Sequence, residues 1–193
     1  MWSFALLCGG YSVGAVDLVE PPLVERLVAF GQGRYEFAAA TDPVTLPFDD
    51  ASFDAVTSCG VLEHVRETGG AEDKSLSEIA RVLKPGGHFV CCHFPNRLSW
   101  IDAVATRTRG LYSHPFKYDR HDIERLAADA GLQLRECRRY GALPRNMASR
   151  LPRRLADTPS GASLFDALDA GLGAIARPLC QNYLWVARRA VAG

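Results

Sequence analysis

The chain has 193 residues, 48% of them hydrophobic and 23% charged, with 22 basic residues balancing 22 acidic ones. Such a length and composition suit one soluble globular domain with a real core, and a neutral balance gives no electrostatic case for a nucleic-acid partner. No uninterrupted apolar run approaches the roughly 20 residues of a membrane helix, since Asp166, Asp169 and Arg177 break the best stretch.

Met1 to Leu7 has the apolar character of a packed helix end, and Gly9 and Gly10 suit its C-terminus, where a left-handed backbone favours a residue without a Cβ. Tyr11 to Val16 reads as a short strand closed by Asp17. Pro21 and Pro22 mark a helix start that Leu23 to Phe30 continues and Gly31 and Gly33 stop. Tyr35 to Ala40 is a small apolar strand ending at Thr41 and Asp42. The stretch LPFDDASFDAVTSCGVLEHV then supplies a polar turn, Asp49 to Ser52, and a buried strand, Phe53 to Ser58. Lys74 to Leu83 places Leu76, Ile79, Ala80 and Leu83 on one helical face, and KPGG reads as the stop of that helix. His88 to Phe94 is a further strand, broken by Pro95. Strands alternating with helices predict an α/β fold, a parallel sheet covered on both faces.

The second half is less regular. Residues 96–118 mix Asn, Ser, Arg, aromatic residues and His, as a mobile covering segment would. Asp119 is the expected N-cap of a helix from Arg120 to Ala130, with Gly131 as its stop. Leu132 to Tyr140 and Asn182 to Ala190 read as strands, with an apolar helix, Ser163 to Ala176, between them. Residues 141–161 are the expected irregular insertion, and residues 1–193 form one domain. The six cysteines show no CxxC pairing; they read as reduced, buried, small apolar residues of a cytoplasmic protein. The N-terminus lacks the basic flank of a signal peptide.

The ordered set of an acidic residue, LPF, an acidic turn, SFD, a strand, LEH and then EIARVLKPGGHFV resembles class I S-adenosylmethionine-dependent methyltransferases. The resemblance implies a Rossmann-like, mostly parallel sheet with an antiparallel C-terminal strand, holding S-adenosylmethionine over the C-terminal ends of its leading strands. It makes Asp17 the partner of the ribose hydroxyls and Asp42 that of the adenine amino group. It also places the Val44 backbone N–H against the adenine ring, and Ser58, Cys59 and Gly60 beside the methionine portion. MWSFALL resembles the helix that follows the family's D-x-G-x-G-x-G loop, so the first central strand and that loop are expected to be missing, a piece on the order of ten residues. A start assigned too late is the favoured explanation, and two inner strand edges are expected to stand unpaired.

Methyl transfer is an in-line displacement, so the protein mainly aligns donor and acceptor and excludes water. Glu63 and His64 are the catalytic candidates: His64 accepts a proton or the pair positions an acceptor, against a reading in which both only bond and cap the loop. His93 and Asn96 are expected at the rim, Asn96 also as a plain turn residue. Tyr112, His114, Tyr118 and His121 read as loop-surface residues of the cover. Arginines 135, 138, 139, 145, 150, 153 and 154 form a locally basic stretch, a solvated face or an anion site. No metal is expected. The expected activity is methyl transfer to a small-molecule acceptor chosen by cover segments 96–121 and 141–161; neither the acceptor nor the oligomeric state is legible. The alternative is a binding or interaction module without a cofactor site. An NAD enzyme ranks third, because Asp17 alone would suit one but no G-x-G-x-x-G is present.

Overall fold

The computed structural model describes residues 2–144 and 158–191. In chain order these form α1 (Trp2–Cys8), β1 (Val13–Asp17), α2 (Val24–Gly31), β2 (Tyr35–Ala39), β3 (Phe53–Cys59), a 3-10 helix (Leu62–Thr68), α3 (Glu72–Val82) and β4 (Leu83–Pro95). Then come α4 (Trp100–Arg107), α5 (Arg120–Asp129), β5 (Leu132–Tyr140), α6 (Pro159–Ile175), a second 3-10 turn (Arg177–Leu179) and β6 (Asn182–Arg189).

The strands form a four-stranded sheet, β3-β4-β6-β5, and a two-stranded parallel pair, β1-β2. Within the larger sheet β3 and β4 are parallel, and β6 runs against both β4 and β5. The reversed C-terminal strand is therefore as expected. β1 and β3 share no ladder, so each has one edge without a strand partner among the described residues. They still meet through side chains: a Cβ at Gly14 would stand 2.8 Å from the Phe53 ring, so glycine is what admits that ring against β1.

Burial follows the split. The main core joins Leu76 and Ile79 of α3, Ile123, Leu126 and Ala127 of α5, and Phe89, Cys91, Trp185 and Ala187 of β4 and β6. A small cluster of Leu7, Val24 and Tyr35 holds α1 and α2 to β1 and β2. Asp119 caps α5 through a reciprocal box with Asp122, and Arg97 bridges both carboxylates at 2.9 and 2.7 Å.

Three expectations change. KPGG does not close α3, because Leu83, fully buried, is already extended and pairs with Phe53, so the glycines lie in the bulged start of β4. Residues 96–118 are not irregular throughout, since Ser99 caps α4 by accepting the Asp102 N–H at 3.0 Å. Among the cysteines, Cys91 and Cys180 are buried, but Cys8 is exposed. Most of the expected insertion 141–161 lies outside the described residues, as do arginines 145, 150, 153 and 154.

Candidate active site

The C-terminal ends of parallel strands are where open α/β sheets take ligands, and the cofactor candidates lie at or just beyond the ends of β1, β2 and β3. Asp17 ends β1 as an exposed carboxylate whose Oδ1 accepts the Leu18 N–H at 2.8 Å. Its carbonyl accepts the Ala40 N–H at 2.9 Å, which ties the ends of β1 and β2 and starts the Asp42 loop beside it. Asp42 Oδ1 accepts the N–H groups of Thr45 at 2.7 Å and Val44 at 2.8 Å, and these bonds hold its carboxyl below the ordinary carboxylate range. The Val44 N–H therefore serves this turn, while the Val44 side chain reaches the 3-10 helix: a Cβ on Gly70 would collide with Val44 and Val65 methyls at 2.8 Å each.

The LPF segment is clamped from behind. Arg81 donates to the carbonyls of Leu46 and Phe48 at 2.9 Å and pairs with Glu78 and Asp50, and those carboxylates push its guanidinium pKa up. Glu78 in turn accepts the Leu46 N–H at 3.0 Å.

At the β3 exit, Ser58 Oγ accepts the Leu62 N–H at 3.2 Å, Cys59 is half-buried, and Gly60 turns the chain at a φ of 75°. That left-handed turn suits glycine and carries the chain into the 3-10 helix. Glu63 and His64, expected as a pair, are divided between interior and surface. Glu63 is 3% exposed, with an oxygen 3.8 Å from where a Gly60 Cβ would be. His64 is only partly exposed, and its Nδ1 lies 2.7 Å from Glu67 Oε1 and 3.3 Å from the Tyr112 hydroxyl.

Residues of the 96–121 segment pack against this helix. Tyr112 donates to Glu67 at 3.1 Å, and burial and that carboxylate push its phenol up to about 12. The His114 ring stacks on His64 at 5.7 Å, and Asp102, 2% exposed, holds His114 Nδ1 at 3.0 Å. A shallow depression of about 590 Å³ opens here between Thr106, Leu111, Tyr112, Ser113, His114 and Lys117. Tyr118 is not a surface residue: it is 7% exposed, stacks on Phe94 at 4.2 Å and donates to fully buried Glu72, which also binds Arg66. Sequence reasoning missed Glu67, Glu72 and Asp102; only the S-x-x-D spacing from Ser99 to Asp102 could have signalled one of them.

The other candidates divide. His93 sits at the β4 bulge with a φ of 68°, donates its N–H to the Tyr140 hydroxyl at 2.8 Å and joins that hydroxyl through its ring. Asn96 is completely buried and donates to the carbonyls of Pro178 and Cys180 at 2.8 and 2.7 Å, an anchor rather than a rim contact. Arg139 lies 4.9 Å over the Tyr183 ring and Arg138 pairs with Glu136 at 3.3 Å, which commits both to the sheet surface. Among the described residues no group of His, Cys, Asp or Glu could hold a metal ion. None of their helices is long and apolar enough to cross a membrane.

The donor set fits a nucleoside with a charged tail. Two carboxylates end neighbouring strands, the first exposed and the second held ionised, and a side-chain-free turn opens at the third strand beside a buried carboxylate.

Residues 3–91 match the family model described as a methyltransferase domain. A demethylmenaquinone methyltransferase of Clavibacter sepedonicus is 47% identical over 93 residues, covering 48% of this chain and 36% of that protein. Another, of Mycolicibacterium gilvum, is 37% identical over 118 residues, 58% of this chain and 46% of that protein. The chain thus spans less than half the length of these two relatives. Among solved structures, the Burkholderia thailandensis 1,6-didemethyltoxoflavin-N1-methyltransferase, with bound 1,6-didemethyltoxoflavin and S-adenosylhomocysteine, superposes with a TM-score of 0.59. The match covers 97% of this chain and 65% of that one at 19% identity, a likeness of fold.

Proposed function

We propose that this chain, whose residues 3–91 match a methyltransferase-domain model, is a class I S-adenosylmethionine-dependent methyltransferase and transfers a methyl group to a carbon of a reduced, quinone-type aromatic small molecule. The carrying observation is that the matched segment bears Asp17, Asp42, Val44, Ser58, Cys59, Gly60, Glu63 and His64 at or just beyond the C-terminal ends of β1, β2 and β3. The acceptor class follows the demethylmenaquinone methyltransferases that the chain resembles. The interaction-module alternative is not favoured by these matches.

S-adenosylmethionine, when bound, supplies a methyl group on a positively charged sulfur. Asp17 receives the ribose hydroxyls, and Asp42, ionised at neutral pH, meets the adenine amino group. Gly60 lets the methionine portion approach the backbone at the β3 exit, with the Glu63 carboxylate beside it to favour the positive centre. His64, Tyr112 and His114 form the aromatic wall against which a flat ring stacks. The cover excludes water from the displacement.

The test is transfer of labelled methyl from S-adenosylmethionine to a soluble short-chain demethylmenaquinol, with the same quinol already methylated at the acceptor carbon as control. Label in the demethylated quinol alone is the expected result. Cofactor binding without label in any quinol would overturn the acceptor class, and absence of cofactor binding would overturn the activity.

A further inference from the structure

We propose that Asp102 and His114 form the proton-accepting site of this centre, with His114 Nε2 as the base that touches the acceptor and Asp102 as its positioning residue. The inference rests on the methyl-transfer reading above and departs from the expectation that His64 is the base.

The geometry fixes a tautomer. Asp102 Oδ1 lies 3.2 Å from the His114 backbone nitrogen and 3.0 Å from its ring Nδ1. Burial works to raise the Asp102 carboxyl, but the hydrogen bonds from the His114 ring, its backbone N–H and Ser99 outweigh it and hold the group below the ordinary range. An ionised carboxylate can only accept, so in the neutral ring the proton sits on Nδ1 and Nε2 keeps its lone pair. The same Asp102 has a second oxygen, Oδ2, that is buried without a hydrogen-bond partner among the described residues. A cap that served only to hold a loop would not keep a half-satisfied charge at 2% exposure, where an uncompensated carboxylate is costly. The arrangement is the one that orients and charges a general base.

Position supplies the rest. The His114 ring stacks on His64, four residues beyond Gly60, with an interplanar angle of 28°, and Tyr112 meets it edge-on at 5.2 Å. Both neighbours are engaged, since His64 Nδ1 and the Tyr112 hydroxyl are turned to Glu67. The charged and titratable groups around His114 are therefore His64, Glu67 and Tyr112 on the 3-10 and cover side, Asp102 on α4, and Lys117, whose Nζ lies 3.1 Å from Ser113 Oγ. Behind them is the buried carboxylate of Glu63. His114 Nε2 takes the proton the acceptor loses as the acceptor's electron pair bonds the methyl carbon. The electrons of the broken C–S bond stay on sulfur, Asp102 balances the imidazolium, and the proton leaves to solvent.

The test uses the whole 193-residue chain. In nitrogen-15 NMR of the histidine rings, the neutral form of His114 should carry its proton on Nδ1; a neutral ring with its proton on Nε2 would overturn the proposal whatever the activity. In the methyl-transfer assay, His114→Ala and His114→Gln should each lower kcat by roughly 100-fold or more, leave S-adenosylhomocysteine affinity unchanged, and regain rate with added imidazole in the alanine variant. Activity within about threefold of wild type in either folded variant would sink the dyad while leaving the methyltransferase reading intact. A wild-type chain that binds cofactor but methylates no quinol would sink the acceptor class, and the ring tautomer would still decide the dyad.

Discussion

Replacing Glu72 tests whether one buried carboxylate holds the cover over the β3 exit. Glu72, in the first turn of α3, is fully buried and binds Arg66 of the 3-10 helix and the Tyr118 hydroxyl of the cover. Arg66 also lies 5.0 Å over the Phe116 ring, so three segments meet at one side chain. In Glu72→Ala the Tyr118 hydroxyl, in a residue 7% exposed, loses its acceptor and Arg66 loses its anion. Breaking a buried pair from one side costs about 3–5 kcal/mol. The Arg66 side chain is 44% exposed, and water takes up part of its charge, which puts the loss near about 3 kcal/mol. Glu72→Gln keeps an acceptor for Tyr118 and should cost about 1.5–3 kcal/mol, and Tyr118→Phe about 1 kcal/mol. With a urea slope of about 2 kcal/mol per molar, Glu72→Ala moves the unfolding midpoint down by roughly 1.5 M. Tryptophan fluorescence reports it, with Trp100 near the cover and Trp185 in the core. A midpoint within about 0.3 M of wild type at the same slope would refute the reasoning.

Acid should weaken the cover. Because hydrogen bonds hold the folded Asp102 carboxyl below its unfolded value, its stabilisation is present above about pH 4 and lost as pH falls through the lowered value; the urea midpoint should therefore drop less from pH 7 to pH 3 in His114→Ala than in wild type, and an equal drop would contradict the contact. Gly70→Ala drives a Cβ into the Val44 and Val65 methyls, so thermal or urea unfolding should show a loss of about 1–3 kcal/mol; an unchanged midpoint contradicts the packing. Asp42→Ala removes the acceptor of the Val44 and Thr45 N–H groups and the expected adenine contact, and calorimetry should find S-adenosylhomocysteine bound roughly tenfold more weakly. Equal affinity would remove Asp42 from the site.

Most elements were legible because their signals are local. The apolar face of α3, the Asp119 cap of α5 and the acidic tip of β1 declare themselves within a few residues, and each lies where the sequence placed it. KPGG misled because Pro and Gly punctuate locally, while the partner that extends Leu83 is Phe53, thirty positions away. Helix α4 was hidden by its short length, 8 residues, and by a mixed composition. For the site, the strand ends could be read from motif order, but not which way each side chain faces. Glu63 and His64 are adjacent in sequence and yet one is buried and the other partly open to solvent. Asp102 with His114, and Glu72 with Arg66 and Tyr118, are joined across 12 and up to 46 positions of chain, distances at which no spacing rule applies.

The central claim is that Asp17, Asp42 and the β3 exit form a cofactor site in this chain. Calorimetric titration of the folded 193-residue protein with S-adenosylhomocysteine measures it most directly. The account predicts saturable one-to-one binding, with a Kd on the order of micromolar, about −8 kcal/mol, weakened by substitution of either aspartate. A sample folded by circular dichroism that takes up no S-adenosylhomocysteine would contradict it.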